Sequence, residues 1–302
     1  MTSPGSRTLE TRIGFIGMGH MGGAMTRRLL NAGYPVAVYD RTVEKIREAG
    51  GWGATPARTP KELATSCQVV MSCVTNDEAQ HDVMFGPDGA LAGVHPGSAM
   101  IDLSTVSPGA SRRVHEAARE AGAAMIDAAV SGSVPQVEQG SLVIFVGGEN
   151  ETYQRCKPIL DVLGSTSFFL GASGMGTSMK LVVNTLLGLG MQSLAEAVAL
   201  GQRAGIEKGM LLDVLGQTAV LTPSQKSKLD NVRRDEYPTN FSLALMHKDF
   251  DLVLREAHEL SVAMPATSAA QQMAAAATAK GMNADFSVMI KFMVELAASP
   301  GP

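Results

Sequence analysis

The stretch RIGFIGMGHMGGAM, residues 12–25, constrains the fold more than any other. A short apolar run ends in Gly17, Gly19 and Gly22, spaced G-x-G-x-x-G, and a helix-like segment follows at once. Each glycine answers a different demand: a tight turn, close approach of backbone to a pyrophosphate, and close packing of helix on strand. The N-terminus of the following helix favours the phosphate charge. A second apolar run, VAVYD, closes on Asp40 about 20 residues further on, where an acid can hold a ribose hydroxyl. A glycine turn alone would say little; with the strand, the helix and the acid it specifies a dinucleotide-binding βαβ unit.

From Arg12 to about Gly171 the same alternation continues through VEKIREAGG, CQVVMSCV, SAMIDLST, SLVIFVGG, ETYQRCKPILDVLG and STSFFLG. Strands that alternate with helices form a parallel sheet, because a parallel return needs a crossover. The expected fold is α/β, with a doubly wound Rossmann-type domain over 12–173. From Thr177 to Ala204 no proline occurs and apolar residues recur at helical spacing, which predicts one long helix between domains. The remainder is rich in Ala, Leu and Met, with turns expected at Pro223, Pro238 and Pro265, and reads as an all-helical domain over 174–302. Its apolar stripes are assigned to core or subunit contact, so a homodimer or homotetramer is expected.

Composition narrows the partners. The formal charge is −4 and no Lys/Arg block occurs, so no nucleic-acid surface is expected. The first residues lack the apolar core of a signal peptide, and no run approaches about 20 uninterrupted apolar residues, so the expectation is a cytoplasmic protein without a membrane partner. Cys67, Cys73 and Cys156 lack metal-ligand or disulfide spacing, and no metal is expected.

Three polar clusters fall where a cleft is expected. In GMGTSMKLVVN, Lys180 and Asn184 lie four apart and share one helix face. In DAAVSGSVPQVEQGSL, Ser131, Gly132 and Ser133 offer hydroxyls and N–H groups suited to a small carboxylate. In IDLSTVSPG, Ser104 and Thr105 end a strand at the ligand edge of the sheet. Cofactor contacts are expected from Gly17, Met18, Gly19, His20, Met21 and Gly22, from Asp40, Arg41 and Thr42, and from Val74 and Thr75, with His20 acting through backbone. Asp40 suits the 2'-hydroxyl of NAD, whereas Arg41 and Thr42 suit the 2'-phosphate of NADP; the balance leans to NAD.

The motifs GFIGMGHMG, DLSTVSP, DAAVSGSVPQVEQGSL, GMGTSMKLVVN and YPTNFSLALMHKD, in this order, resemble the β-hydroxyacid dehydrogenases, the family of 3-hydroxyisobutyrate dehydrogenase. Within it, VSGS and NFSLALMHKD resemble the glyoxylate and succinic semialdehyde reductases. The resemblance implies Lys180 as catalytic acid/base with Asn184 beside it, and a grip on the substrate carboxylate by Ser131, Gly132 and Ser133. It implies Thr105 between nicotinamide and substrate, Thr105 and Lys248 in contact with the cofactor, and Phe241, Lys248 and Asp249 closing the site from the helical domain. Those reductases carry asparagine at the position of Asp40 and use NADPH, so this chain departs from them at the ribose.

A lysine there is chemically coherent. Aldehyde reduction needs a proton and a positive charge at the developing alkoxide, and an ammonium supplies both. For oxidation the amine must be neutral, which calls for a pKa below about 10.4. The competing readings are an imine reductase on the same fold, whose members usually carry Asp or Tyr in place of the lysine, and a non-catalytic dinucleotide-binding assembly module that has lost it. A sugar-phosphate substrate is disfavoured, since SGSVPQVEQG contains no cation.

Overall fold

The computed structural model describes residues 10–298. The chain forms two compact units, Met1–Lys180 and Leu181–Pro302.

Unit 1 holds one eight-stranded sheet. Its strands are β1 (Ile13–Ile16), β2 (Val36–Tyr39), β3 (Thr55–Pro56), β4 (Val69–Ser72), β5 (Ala99–Asp102), β6 (Ala124–Ser131), β7 (Leu142–Gly148) and β8 (Gly164–Phe169). They lie in the order β3-β2-β1-β4-β5-β6-β7-β8. Between them run α1 (His20–Asn31), α2 (Val43–Gly51), α3 (Pro60–Thr65), α4 (Asp77–Phe85), α5 (Pro108–Glu120), α6 (Val134–Gln139) and α7 (Asn150–Leu163). Alternate side chains of the central strands enter two different cores. Ile13, Phe15, Val69, Met71 and Ile101 join one, while Ile16, Val70 and Met100 join the other. A sheet covered on both faces reads as a continuous apolar run, and this is why these strands stood out.

The sheet departs from the expected all-parallel form at one place, where β6 pairs antiparallel with β7. The connection 132–141 holds only the six-residue α6, and a parallel return needs about a dozen residues or more. Ser133 and Gln136 form a capping box and Gly140 ends the helix in the left-handed region, so the chain turns back at once. The segment carrying Ser131, Gly132 and Ser133 is therefore held between paired strands.

The long helix, α8, spans Met175–Arg203 and starts two residues before its expected start. Among the described residues it is the one helix that by length and composition is apolar enough to cross a membrane. Its residues Met191, Leu194, Ala195 and Val198 instead enter the core of unit 2. That unit continues with α9 (Lys208–Gln217), α10 (Pro223–Lys226), α11 (Leu229–Arg234), α12 (Leu243–Glu259), α13 (Pro265–Ala279) and α14 (Met289–Ala298). Pro223 and Pro265, expected to mark turns, open helices instead, because proline's fixed φ suits the first helical position.

Candidate active site

The glycine loop forms a cradle in unit 1. Gly17 sits at φ +96°, and a Cβ there would overlap the Cys73 carbonyl oxygen. A Cβ on Gly22 would overlap the Gly17 carbonyl, so this glycine lets α1 close on β1. Gly19 has nothing within 4 Å of where its Cβ would be, which leaves the backbone open to a ligand at the N-terminus of α1. The three glycines thus divide into turn, packing and approach, and the cradle fits a pyrophosphate.

Beside it lies a cavity of about 460 Å³ lined by Gly17, Gly19, Asp40, Arg41, Val74 and Thr75 among the expected cofactor contacts. Met18, His20, Met21, Gly22 and Thr42 do not line it. Met18 and Thr42 act through backbone, each donating its N–H to one carboxylate oxygen of Asp40, at 2.7 and 2.8 Å. Sequence reasoning missed Lys45, which also lines the cavity and places Nζ 3.8 Å from Asp40. Its position in the first turn of α2, just past Asp40, was the available signal. Cys73 lines the same cavity, whereas Cys67 and Cys156 are buried thiols. Burial raises the Cys156 thiol to about 11, leaving it protonated and inert near neutral pH.

The loops after β4 and β5 are tied by a buried carboxyl that no sequence motif marks. Asp102 accepts from the Ser72 hydroxyl at 2.8 Å, from the Gln80 amide at 2.5 Å and from the Ser104 N–H at 3.1 Å. Burial pushes its pKa up, and the bonds from Ser104, Ser72 and Gln80 pull it back only in part. The Ser104 hydroxyl in turn accepts the Val74 N–H at 2.9 Å. Val74 and Thr105 thus belong to two strand ends fixed to one another.

At the connection after β6, Ser131 ends the strand opposite Val143. Gly132 has φ +133°, and a Cβ there would meet Leu142 at 2.6 Å. Ser133 donates both its N–H and its hydroxyl to Gln136 Oε1, at 2.9 and 2.7 Å. Ser133 therefore shapes the loop through these bonds.

Asp127, on β6, anchors the start of α8. It accepts the Gly174 N–H at 2.8 Å, the Thr177 N–H at 2.8 Å and the Thr177 hydroxyl at 3.2 Å. Lys180 follows Thr177 by three residues, about 4.5 Å along the helix axis.

Unit 2 carries the remaining candidates. Asn184, one turn beyond Lys180 on α8, donates its amide to Asp249 Oδ2 at 2.5 Å, and both side chains are 1% exposed. A carboxylate only accepts, so the amide must turn its NH2 to Asp249 and its oxygen away. That oxygen is buried and has no hydrogen-bond partner among the described residues. Lys248, expected at the cofactor, lies 2.8 Å from Asp249 Oδ1. Phe241 packs edge-on against Phe286 at 5.6 Å. Its N–H and that of Asn240 donate to Asp285, which is buried and paired with Lys228 at 2.9 Å. Among the described residues no group of His, Cys, Asp and Glu gathers as a metal site.

Two family models together cover most of the chain. Residues 12–180 match the NAD-binding domain of 6-phosphogluconate dehydrogenase, and residues 174–293 match the NAD-binding domain of NADP-dependent 3-hydroxyisobutyrate dehydrogenase. The chain belongs to the β-hydroxyacid dehydrogenase family. Its members bind NAD(P), and this chain is an NAD(P)-dependent oxidoreductase of that family. Among its relatives is glyoxylate/succinic semialdehyde reductase 2 of Arabidopsis thaliana, 35% identical over 92% of this chain and 78% of that protein. A 3-hydroxyisobutyrate dehydrogenase of Salmonella typhimurium superposes with a TM-score of 0.85 at 28% identity, covering 93% of this chain and 99% of that one. A structure named Psf3, in complex with NADP+ and 2-OPP, superposes at 0.84 and 28% identity, covering 92% and 99%.

Proposed function

We propose that this family member interconverts a small hydroxyacid with its semialdehyde, or reduces glyoxylate, with Lys180 as general acid/base. The observation that carries the proposal is the placement of Lys180: a cation one turn into a helix whose start is tied to Asp127 on the sheet. The similarity to the Arabidopsis reductase supports the substrate class.

NAD(P)H supplies the hydride when bound in the cradle of Gly17, Gly19 and the cavity beside it. Lys180 donates a proton to the developing alkoxide and stabilises its charge; in oxidation its neutral amine accepts that proton. Ser131 and the Gly132 backbone hold the substrate carboxylate. Asn184, its amide held by Asp249, fixes the polarity of the helix face next to Lys180. Initial rates with succinic semialdehyde, glyoxylate and methylmalonate semialdehyde, each with NADH and NADPH, test the reading. Turnover of at least one supports it, and cofactor binding without turnover of any would refute it.

Asp40 sets the cofactor preference. Its carboxylate stands at the cavity wall and repels a 2'-phosphate, while Arg41 and Lys45 attract one. The proposal is use of NADH in preference to NADPH, with both accepted. Asp40→Asn removes the repulsion and leaves both cations, so the ratio of kcat/KM for NADPH over NADH should rise at least about tenfold, near 1.4 kcal/mol. A ratio unchanged within twofold would remove Asp40 from the ribose pocket.

The proposal extends to a homodimer or homotetramer. Val182 and Leu186, four apart on α8, are 55% and 72% exposed, and Leu200 is 73% exposed. Sedimentation at micromolar concentration should give a species at least twice the chain mass; monomer alone would end that reading.

A further inference from the structure

We infer that Asp127 is a positioning residue for the reaction, acting through Lys180: its carboxylate fixes the N-terminus of α8 on β6 and so sets where the lysine stands. The inference rests on the role proposed for Lys180.

Asp127 is 2% exposed and no cation lies within ion-pairing distance among the ion pairs of the described residues. Its charge is met instead by the Gly174 N–H, the Thr177 N–H and the Thr177 hydroxyl. These belong to the first turn of α8 and the residue before it, where helix N–H groups have no partner within the helix. The surroundings are cut to the carboxylate. A Cβ on Gly147, the residue paired with Asp127 across the β6–β7 ladder, would come 2.7 Å from Asp127 Oδ1. One on Gly176 would come 2.9 Å from Asp127 Oδ2 and would overlap the Phe145 carbonyl. Two glycines thus open the space through which the helix start descends onto the acid.

The arrangement has two consequences for Lys180, one turn further along. The helix start cannot slide or tilt without breaking two short N–H bonds to a buried anion, so the lysine Cα is fixed relative to the sheet. The carboxylate also sets a negative charge at the positive end of the helix dipole, one turn before the ammonium.

Asp127→Asn keeps the shape and removes the charge; its NH2 must then face one of the two N–H groups that the carboxylate accepted. We expect kcat to fall about ten- to a hundredfold, the loss typical of a reacting group misplaced by about 1 Å. NAD(P)H affinity should stay within twofold of wild type, because the cofactor cavity does not include Asp127. The deciding experiment is the double-mutant cycle with Lys180→Met, read as kcat for the best substrate of the panel. If Asp127 acts through Lys180, adding Asp127→Asn to Lys180→Met costs less than threefold more. Additive losses, or an Asp127→Asn protein with wild-type kcat, would overturn the inference while leaving the lysine's role intact. Turnover by Lys180→Met at a tenth of wild type or more would overturn that role and the inference together. If Asp127→Asn does not fold, Thr177→Val poses the same question in a milder form, since it removes only the hydroxyl bond to Asp127 from a side chain of equal shape. A kcat loss of about threefold that disappears in the Lys180→Met background supports the inference, and an unchanged kcat overturns it.

Discussion

Lys180→Met is expected to reduce kcat about a thousandfold while NAD(P)H affinity stays within twofold of wild type. Methionine matches the length of the lysine stem and is as good a helix former, so α8 keeps its geometry. On the proposed role, what disappears is the transferable proton and the positive charge at the developing alkoxide. General acid/base catalysis alone typically contributes about 10²–10⁴ in rate. Cofactor affinity is spared because the cradle and cavity are built from other residues, with Gly17, Gly19, Asp40 and Arg41 among them. Single-turnover rates and a fluorescence titration of NAD(P)H on the same protein separate the two quantities. A variant that retains a tenth or more of wild-type turnover would sink the assignment of Lys180.

The largest loss of stability is expected in unit 2, from Asp285→Ala. Asp285 accepts from the Lys228 ammonium at 2.9 Å, the Ser287 hydroxyl at 2.7 Å, the Ser287 N–H at 3.2 Å and the N–H groups of Asn240 and Phe241. Removing it strands a buried cation and several buried donors together, and breaking a buried pair from one side costs about 3–5 kcal/mol. A thermal midpoint lower by about 10 °C is expected. A fall of less than about 2 °C would show that the hub is dispensable. The effect should depend on pH in a definite direction. Burial alone would raise the Asp285 pKa, but the bonds from Ser287 and Lys228 outweigh it and hold the carboxyl below its usual range. Its contribution is therefore full above the unfolded value near 3.9 and is lost as pH falls through the lower folded value. Wild type and variant should differ most at neutral pH and converge in strong acid.

The sequence made the cofactor half legible because its demands are local. Gly17, Gly22 and Asp40 answer constraints on φ, close packing and charge that operate within one βαβ unit. The reversal at β7 was not anticipated, although Ser133 and Gln136 carry the S-x-x-Q signature of a capping box that closes the connection too early for a crossover. The supporting acids were out of reach for another reason. Asp127 meets Thr177 across fifty positions, and Asp285 meets Lys228 across fifty-seven. No periodicity or short motif encodes such a pairing, and a buried acid in a strand looks the same in sequence whether it is stranded or satisfied. Pro223 and Pro265 were legible as punctuation, but proline opens a helix as readily as it ends one.

The single strand β6 carries Asp127 and Ser131, and residues four apart on a strand face the same way, about 13 Å from each other. On the proposed roles, one end anchors the acid's helix and the other begins the grip on the carboxylate, so β6 is a ruler between the two ends of the substrate. A hydrogen-bonded strand does not stretch, and inserting one residue would turn Ser131 to the opposite face. Tolerance of longer or shorter acids must therefore come from the connection 132–141, and variants that change substrate length should be sought there and not in the strand.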